Sequence, residues 1–161
     1  MFGSIECEEL IHKSVPRLID VRVYYAQLFA QELNLAEQDQ EDLVLASRFA
    51  DYGLTALENE VVMNPRRSGV AFEQYKQHPS LSVRMVKDLN LSDRIAEIIE
   101  DHHEHYDESG YPKGKKGEAI SYLARVLSLP DRYSTGIVIE KSHILKYWVK
   151  SKQEVVPFSI R

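Results

Sequence analysis

The residues of this chain best suited to chemistry are two adjacent histidines, His102 and His103. A neutral imidazole offers a lone pair and carries no charge to be buried, so two neighbouring imidazoles suit a divalent metal ion. A hydrogen-bonded histidine pair at a helix end is the alternative, and the pair alone does not separate the two interpretations. A polar turn follows, reading His-Tyr-Asp-Glu-Ser-Gly-Tyr-Pro and ending at Pro112.

A helix is expected to position the two histidines. Ile95, Ile98 and Ile99 recur at the three- and four-residue spacing of a helix face. His102 continues that face one turn later, and His103 lies about 100° further round the helix, where it can converge on the same pocket. Acidic residues take the other positions, where we expect a solvated face: Glu97, Glu100, Asp101 and Glu104.

Length and composition predict a globular protein. A chain of 161 residues is one domain, and its hydrophobic content of 43% is ordinary for such a domain. The net charge of -5 argues against nucleic-acid and membrane-surface partners, because both need a basic face. Cys7 is the only cysteine, which excludes an internal disulfide and favours a reducing compartment. No apolar run reaches the roughly eighteen residues of a membrane span, so we expect a cytoplasmic protein.

The apolar residues recur at helical spacing, which predicts an all-α bundle of about seven helices. We expect a leader helix over residues 1–16, a core over 17–140 and a tail over 141–161, with Pro16 ending one helix or opening the next. Residues 54–70 are expected to form a connecting loop. The apolar residues predicted to face the core are Leu18, Val21, Tyr25, Leu28, Phe29 and Leu33, then Leu43 and Ala50, then Leu81, Met85 and Leu89, and finally Ile120, Leu123 and Leu127.

The stretch from His102 to Pro112 resembles the signature of the HD-GYP domains, bacterial relatives of the HD metal-dependent phosphohydrolases. It carries His-His-Glu followed by Asp-Glu-Ser-Gly-Tyr-Pro, with Glu108 where the family usually has glycine. The resemblance covers about residues 17–140. It implies a helical domain, and active members hydrolyse cyclic di-GMP with two or three metal ions, usually iron or manganese.

The resemblance also implies a set of metal ligands. The matching positions in this chain are Asp51, His78, His102, His103 and Asp131. Four positions depart from the family: Ala50 and Ile19 replace histidines, Val15 replaces a glutamate of the three-metal members, and Leu54 replaces a lysine that assists phosphate chemistry. One nearly complete site therefore remains, able to hold one manganese, iron or zinc ion. A buried hydrogen-bonded cluster without metal is the alternative.

Two functions are compatible with this pattern. The first is a degenerate HD-GYP domain that serves as a binding or scaffold module in cyclic di-GMP signalling. The resemblance implies that its turn, Gly110, Tyr111 and Pro112, docks to a diguanylate cyclase or an adaptor protein. The second is a metal-dependent phosphohydrolase with a reduced metal site. Hydrolysis of cyclic di-GMP is expected to be absent or residual, because two-metal hydrolysis needs the second ion and Glu140 stands near the position of a family arginine.

Overall fold

The computed structural model describes residues 4–138, with side chains from Leu18 to Gly136 apart from residue 67. This part of the chain contains seven α-helices and no strand, so the predicted all-α fold is confirmed. The helices are α1 Ser4–Glu32, α2 Glu37–Phe49, α3 Asn59–Met63, α4 Gly69–Tyr75, α5 His78–Met85, α6 Asp93–Asp101 and α7 Tyr122–Val138. Short 3-10 turns lie at Tyr52–Ala56, Pro65–Arg67, Lys87–Leu89 and Gly117–Ala119. The predicted tail over 141–161 lies outside the described residues.

The hydrophobic core lies where α1, α2, α6 and α7 meet. Helix α1 packs along α2 and α7, and α6 packs against α2, α5 and α7. Ile98 and Ile99 are completely buried and Ile95 is nearly so, which confirms the predicted face of α6. Each such side chain contributes roughly 1.5–3 kcal/mol of burial free energy. The predicted core residues of α7, which include Leu123 and Leu127, are also buried.

The prediction for α1 was wrong in two respects. The helix runs unbroken through Pro16, although a proline there removes one backbone hydrogen bond. Its buried face carries Arg22, Ala26 and Ala30 at four-residue spacing, whereas the predicted Leu28 is 38% exposed. The small alanines allow α1 to approach α2 and α7 closely.

Two further predictions fail at short elements. Residues 54–70 are not one loop, since they contain α3, one whole 3-10 turn, part of another and the first two residues of α4. Around α5, the predicted Met85 and Leu89 are exposed, and Val86 is buried instead. Elements of five to eight residues make at most about two helical turns, which is too short for a repeating apolar pattern to identify the buried face.

The segment after α2 is fastened to the start of α5. The Ser82 hydroxyl donates to the Ala50 carbonyl at 2.7 Å and accepts from the Gly53 amide at 2.7 Å. A Cβ atom on Gly53 would lie 2.2 Å from the carbonyl oxygen of His78. Only glycine permits this approach, which brings Asp51 and His78 to the same place.

We predict that Gly53→Ala lowers the free energy of unfolding by about 2 kcal/mol or more, because backbone atoms of α5 would have to shift. Gly69→Ala is the matched control, since no atom lies within 4 Å of its Cβ position. Urea denaturation measures both changes. Equal effects of the two substitutions would contradict the close packing described for residue 53.

Candidate metal centre

Four of the predicted ligands converge at one point. The ligand atoms of Asp51, His78, His102 and His103 all lie within 4.8 Å of one another. Asp51 is the second residue after α2, His78 begins α5, and the adjacent histidines follow α6. Three separate helices therefore deliver one carboxylate and three imidazoles, a donor set suited to manganese, iron or zinc.

Backbone carbonyls fix the tautomers of two histidines. The Nδ1 atom of His78 lies 2.8 Å from the carbonyl oxygen of Tyr75, and the Nδ1 atom of His102 lies 2.6 Å from that of Ile99. Because a carbonyl oxygen only accepts, each Nδ1 carries a hydrogen, and in the neutral imidazole each Nε2 then presents a lone pair.

These two Nε2 atoms point at a carboxylate oxygen. Both are buried without a hydrogen-bond partner, and they lie 3.3 Å (His78) and 3.7 Å (His102) from Asp51 Oδ1. Lone pairs facing a carboxylate oxygen repel it unless a cation lies between them. The orphaned nitrogens therefore fit a divalent ion bound at this point.

His103 completes the group from its more open side. Its side chain is 21% exposed, and its ring packs 4.8 Å from the ring of Tyr111. Burial, together with repulsion from His102 and His78, lowers the pKa of His103 well below its ordinary value. The imidazole is therefore neutral at neutral pH and able to ligate.

Asp131 does not join the four-ligand group but lies beside it. One of its oxygens is 3.9 Å from Nδ1 of His103, and the other accepts a hydrogen bond of 2.7 Å from Nη1 of Arg22. The same Nη1 donates to Oδ2 of Asp51 at 2.5 Å. A single buried guanidinium nitrogen therefore joins the two carboxylates.

Arg22 is a site residue that sequence analysis missed. It is fully buried, and its Nε donates to the carbonyl oxygen of Ser47 at 2.9 Å. Burial by itself would raise the pKa of Asp51, but the Arg22 guanidinium holds that pKa well below its usual range. Arg22 could have been identified from the sequence, because it is a charged residue in line with Leu18 and Ala26 on an apolar helix face.

The positions that depart from the family supply no ligand. Ala50 is completely buried, while Ile19 and Leu54 are half-buried apolar side chains. Val15 lies where side chains are not described.

A buried acidic side chain fixes the turn after α6. The Glu104 carboxylate accepts hydrogen bonds from the backbone amides of Lys113 at 2.6 Å and Lys115 at 2.8 Å. The Tyr111 amide donates to the His103 carbonyl at 3.1 Å. A Cβ atom on Gly110 would lie 2.2 Å from the His105 amide nitrogen. The turn is thus held against the metal centre.

The solvated face predicted for α6 and the residues after it was wrong at two positions. Asp101 and Glu104 are buried and paired with loop residues: Lys115 Nζ lies 2.6 Å from Asp101 Oδ2, although Asp101 Oδ1 has no hydrogen-bond partner. Lys113 Nζ likewise pairs with Glu100 at 2.7 Å. These lysines stabilise the loop, which favours that role over a phosphate site.

The sequence matches a known protein family. The family model described as HD domain matches residues 6–139, so the chain belongs to the HD domain family. The HD-superfamily phosphohydrolase domain expected from the sequence is confirmed, whereas its degeneracy stays a prediction. No helix within residues 4–138 is long and apolar enough to cross a membrane.

Similar proteins include phosphodiesterases of cyclic dinucleotides. The cyclic di-GMP phosphodiesterase response regulator RpfG of Xanthomonas campestris is 31% identical over 111 residues, 67% of this chain and 29% of that protein. A cyclic di-GMP phosphodiesterase of Pseudomonas aeruginosa is 30% identical over 106 residues, 65% of this chain and 26% of that protein. The 3'3'-cGAMP-specific phosphodiesterase 3 of Vibrio cholerae is 26% identical over 108 residues, 66% of this chain and 24% of that protein. The chain thus spans less than a third of each relative.

Purified protein is expected to hold at most one divalent ion per chain after exhaustive dialysis, and His102→Ala should abolish its retention. Elemental analysis measures the content. His105→Ala is the matched control, because His105 contacts Ser109 outside the four-ligand group. Two retained equivalents, or equal loss in both variants, would contradict the site as described.

Proposed function

We propose that this chain is a catalytically reduced HD domain that acts as a binding module in bacterial cyclic di-GMP signalling, built around at most one structural divalent ion. One observation carries the proposal. The four-ligand group is complete, while beside it the carboxylates of Asp51 and Asp131 share the Arg22 guanidinium, and residues 19 and 50 contribute no histidine. The names of the similar proteins support the signalling context. A cytoplasmic location belongs to the same proposal.

The same geometry argues against efficient hydrolysis. Two-ion hydrolysis requires one ion to activate the attacking water and both ions to stabilise the charge that develops on the phosphate. Residues 19 and 50 offer no donor atoms, so a second ion would rely on Asp51 and Asp131 alone. Leu54 brings no cation, and losing one transition-state contact typically costs on the order of a hundredfold in rate.

The binding surface is proposed at the turn. Gly110, Tyr111 and Pro112 are each half-buried, and the Tyr111 ring packs against His103. Tyr106, four residues before Gly110 in the sequence, is 60% exposed. A partner such as a diguanylate cyclase or an adaptor would contact this rim. The packing of Tyr111 on His103 couples the shape of the surface to the metal centre.

A specific observation favours a second candidate, a single-ion phosphohydrolase. The unpartnered Nε2 atoms of His78 and His102 fit one metal ion, and a bound divalent ion polarises a phosphate oxygen as a Lewis acid. This function would act on a phosphate ester that needs less charge stabilisation than cyclic di-GMP.

We predict no multiple-turnover hydrolysis when manganese- or iron-loaded protein is incubated anaerobically with cyclic di-GMP and linear pGpG and GMP are followed. Hydrolysis that disappears in His102→Ala and persists in His105→Ala would contradict the binding-module proposal and show that the domain is a phosphodiesterase. The same pair of variants applied to bis(p-nitrophenyl) phosphate tests the second candidate, which predicts metal-dependent turnover lost only in His102→Ala.

Tyr111→Ala is expected to weaken binding to a diguanylate cyclase domain of the same bacterium by about tenfold, because aromatic side chains dominate such contacts. Tyr122→Ala is the control, since Tyr122 is 51% exposed on α7 and its ring lies against Arg125 of the same helix. Fluorescence anisotropy measures both affinities. Equal affinities of the two variants would contradict docking through the turn.

A further inference from the structure

Two tyrosines lie beside the imidazoles of the metal centre. The ring of Tyr75 is 4.9 Å from the ring of His78, and the ring of Tyr111 is 4.8 Å from that of His103. Both tyrosines are half-buried, and neither hydroxyl has a hydrogen-bond partner among the residues whose side chains are described. Two hydroxyl donors are therefore available at the edge of the four-ligand group.

The carboxylates of the centre act on both hydroxyls. Burial first, and then the negative charges of Asp51 and Asp131, raise the pKa of Tyr75. The pKa of Tyr111 is also raised first by burial, and then by Tyr75 and the same two carboxylates. Each phenol consequently keeps its proton at neutral pH and serves as a neutral hydrogen-bond donor.

An exposed guanidinium lies near the same tyrosines. Arg66 belongs to the 3-10 turn Pro65–Arg67, which packs against α4, and the ring of Phe72 on α4 is 6.4 Å from the ring of Tyr111. Against the rise caused mainly by burial, the positive charge of Arg66 lowers the pKa of Tyr111, so the guanidinium acts on that hydroxyl. Arg66 forms no ion pair within the described part of the chain.

We propose that Tyr75 and Arg66 bind a phosphate group beside the divalent ion of the centre. The Tyr75 hydroxyl donates a hydrogen bond to a phosphate oxygen, and the Arg66 guanidinium contributes positive charge at the rim. The proposal rests on the one-ion centre of the proposed function and deepens it by naming the class of ligand, which is inorganic phosphate or the phosphate of a nucleotide.

The charge of the loaded centre favours such an anion. The carboxylates of Asp51 and Asp131 and the guanidinium of Arg22 leave a single negative charge, which one divalent ion converts to a single positive charge. An anion compensates that positive charge inside a largely buried centre. Phosphate suits the position because its several oxygens can contact an ion, a hydroxyl and a guanidinium at the same time.

The experiment uses the full chain loaded with one equivalent of manganese. Binding of inorganic phosphate and of guanosine monophosphate is measured from their phosphorus NMR relaxation, which nearby manganese accelerates. Tyr75→Phe removes only a hydroxyl and is expected to weaken phosphate binding about tenfold, the contribution of one hydrogen bond to a charged group. Arg66→Gln should weaken it about threefold, because the lost charge is exposed to solvent.

Manganese affinity and the unfolding midpoint are recorded for each variant and should stay close to those of wild type, because neither substituted group has a partner in the described residues. Tyr24→Phe and Arg84→Gln are the matched controls. Tyr24 is 56% exposed on α1, and Arg84 is exposed on α5, six residues after His78. Both controls should bind phosphate within about twofold of wild type.

If Tyr75 only packs against His78, Tyr75→Phe keeps the ring and leaves the phosphate affinity unchanged, which would overturn the proposal. Manganese binding without any effect on phosphate relaxation would overturn it as well, while leaving the one-ion centre intact. A chain that binds no manganese would refute the one-ion centre and this inference with it. Tighter binding of guanosine monophosphate than of inorganic phosphate would support the proposal with a nucleotide as the ligand, and equal binding would support it with free phosphate.

Discussion

The carboxylate of Asp51, whose side chain is only 11% exposed, is the constraint on which the rest of the centre depends. One of its oxygens faces the unpartnered nitrogens of His78 and His102, and the other accepts a hydrogen bond from Arg22. An ionised carboxylate removed from water requires compensation, and the guanidinium supplies it and keeps the pKa of Asp51 low. The side chain is consequently an anion throughout the physiological pH range and attracts a cation to the histidines.

The helices are arranged so that their ends deliver the ligands. Gly53 and Ser82 fasten the segment after α2 to α5, which brings a carboxylate to an imidazole across a long sequence separation. Glu104 fastens the turn after α6 and so holds the adjacent histidines and Tyr111 in place. The centre is held by buried hydrogen bonds on each side, and this preorganisation favours ion binding over rearrangement.

Sequence reasoning succeeded where a pattern is local and long enough to repeat. The isoleucine face of α6 was predicted from its spacing, and the resemblance of the histidine stretch to a known family led to the ligands that converge. It failed for Arg22, Asp101 and Glu104, because a charged residue on a helix is usually solvated. Their burial is stabilised by partners distant in the sequence, which neither helical periodicity nor motif spacing can identify.

The central proposal is that this HD domain has one site for a divalent ion, formed by Asp51, His78, His102 and His103. A crystal structure of the manganese-loaded protein, with anomalous scattering recorded at the manganese edge, tests that claim most directly. One anomalous peak is expected among Asp51, His78, His102 and His103. Two peaks would contradict the proposal.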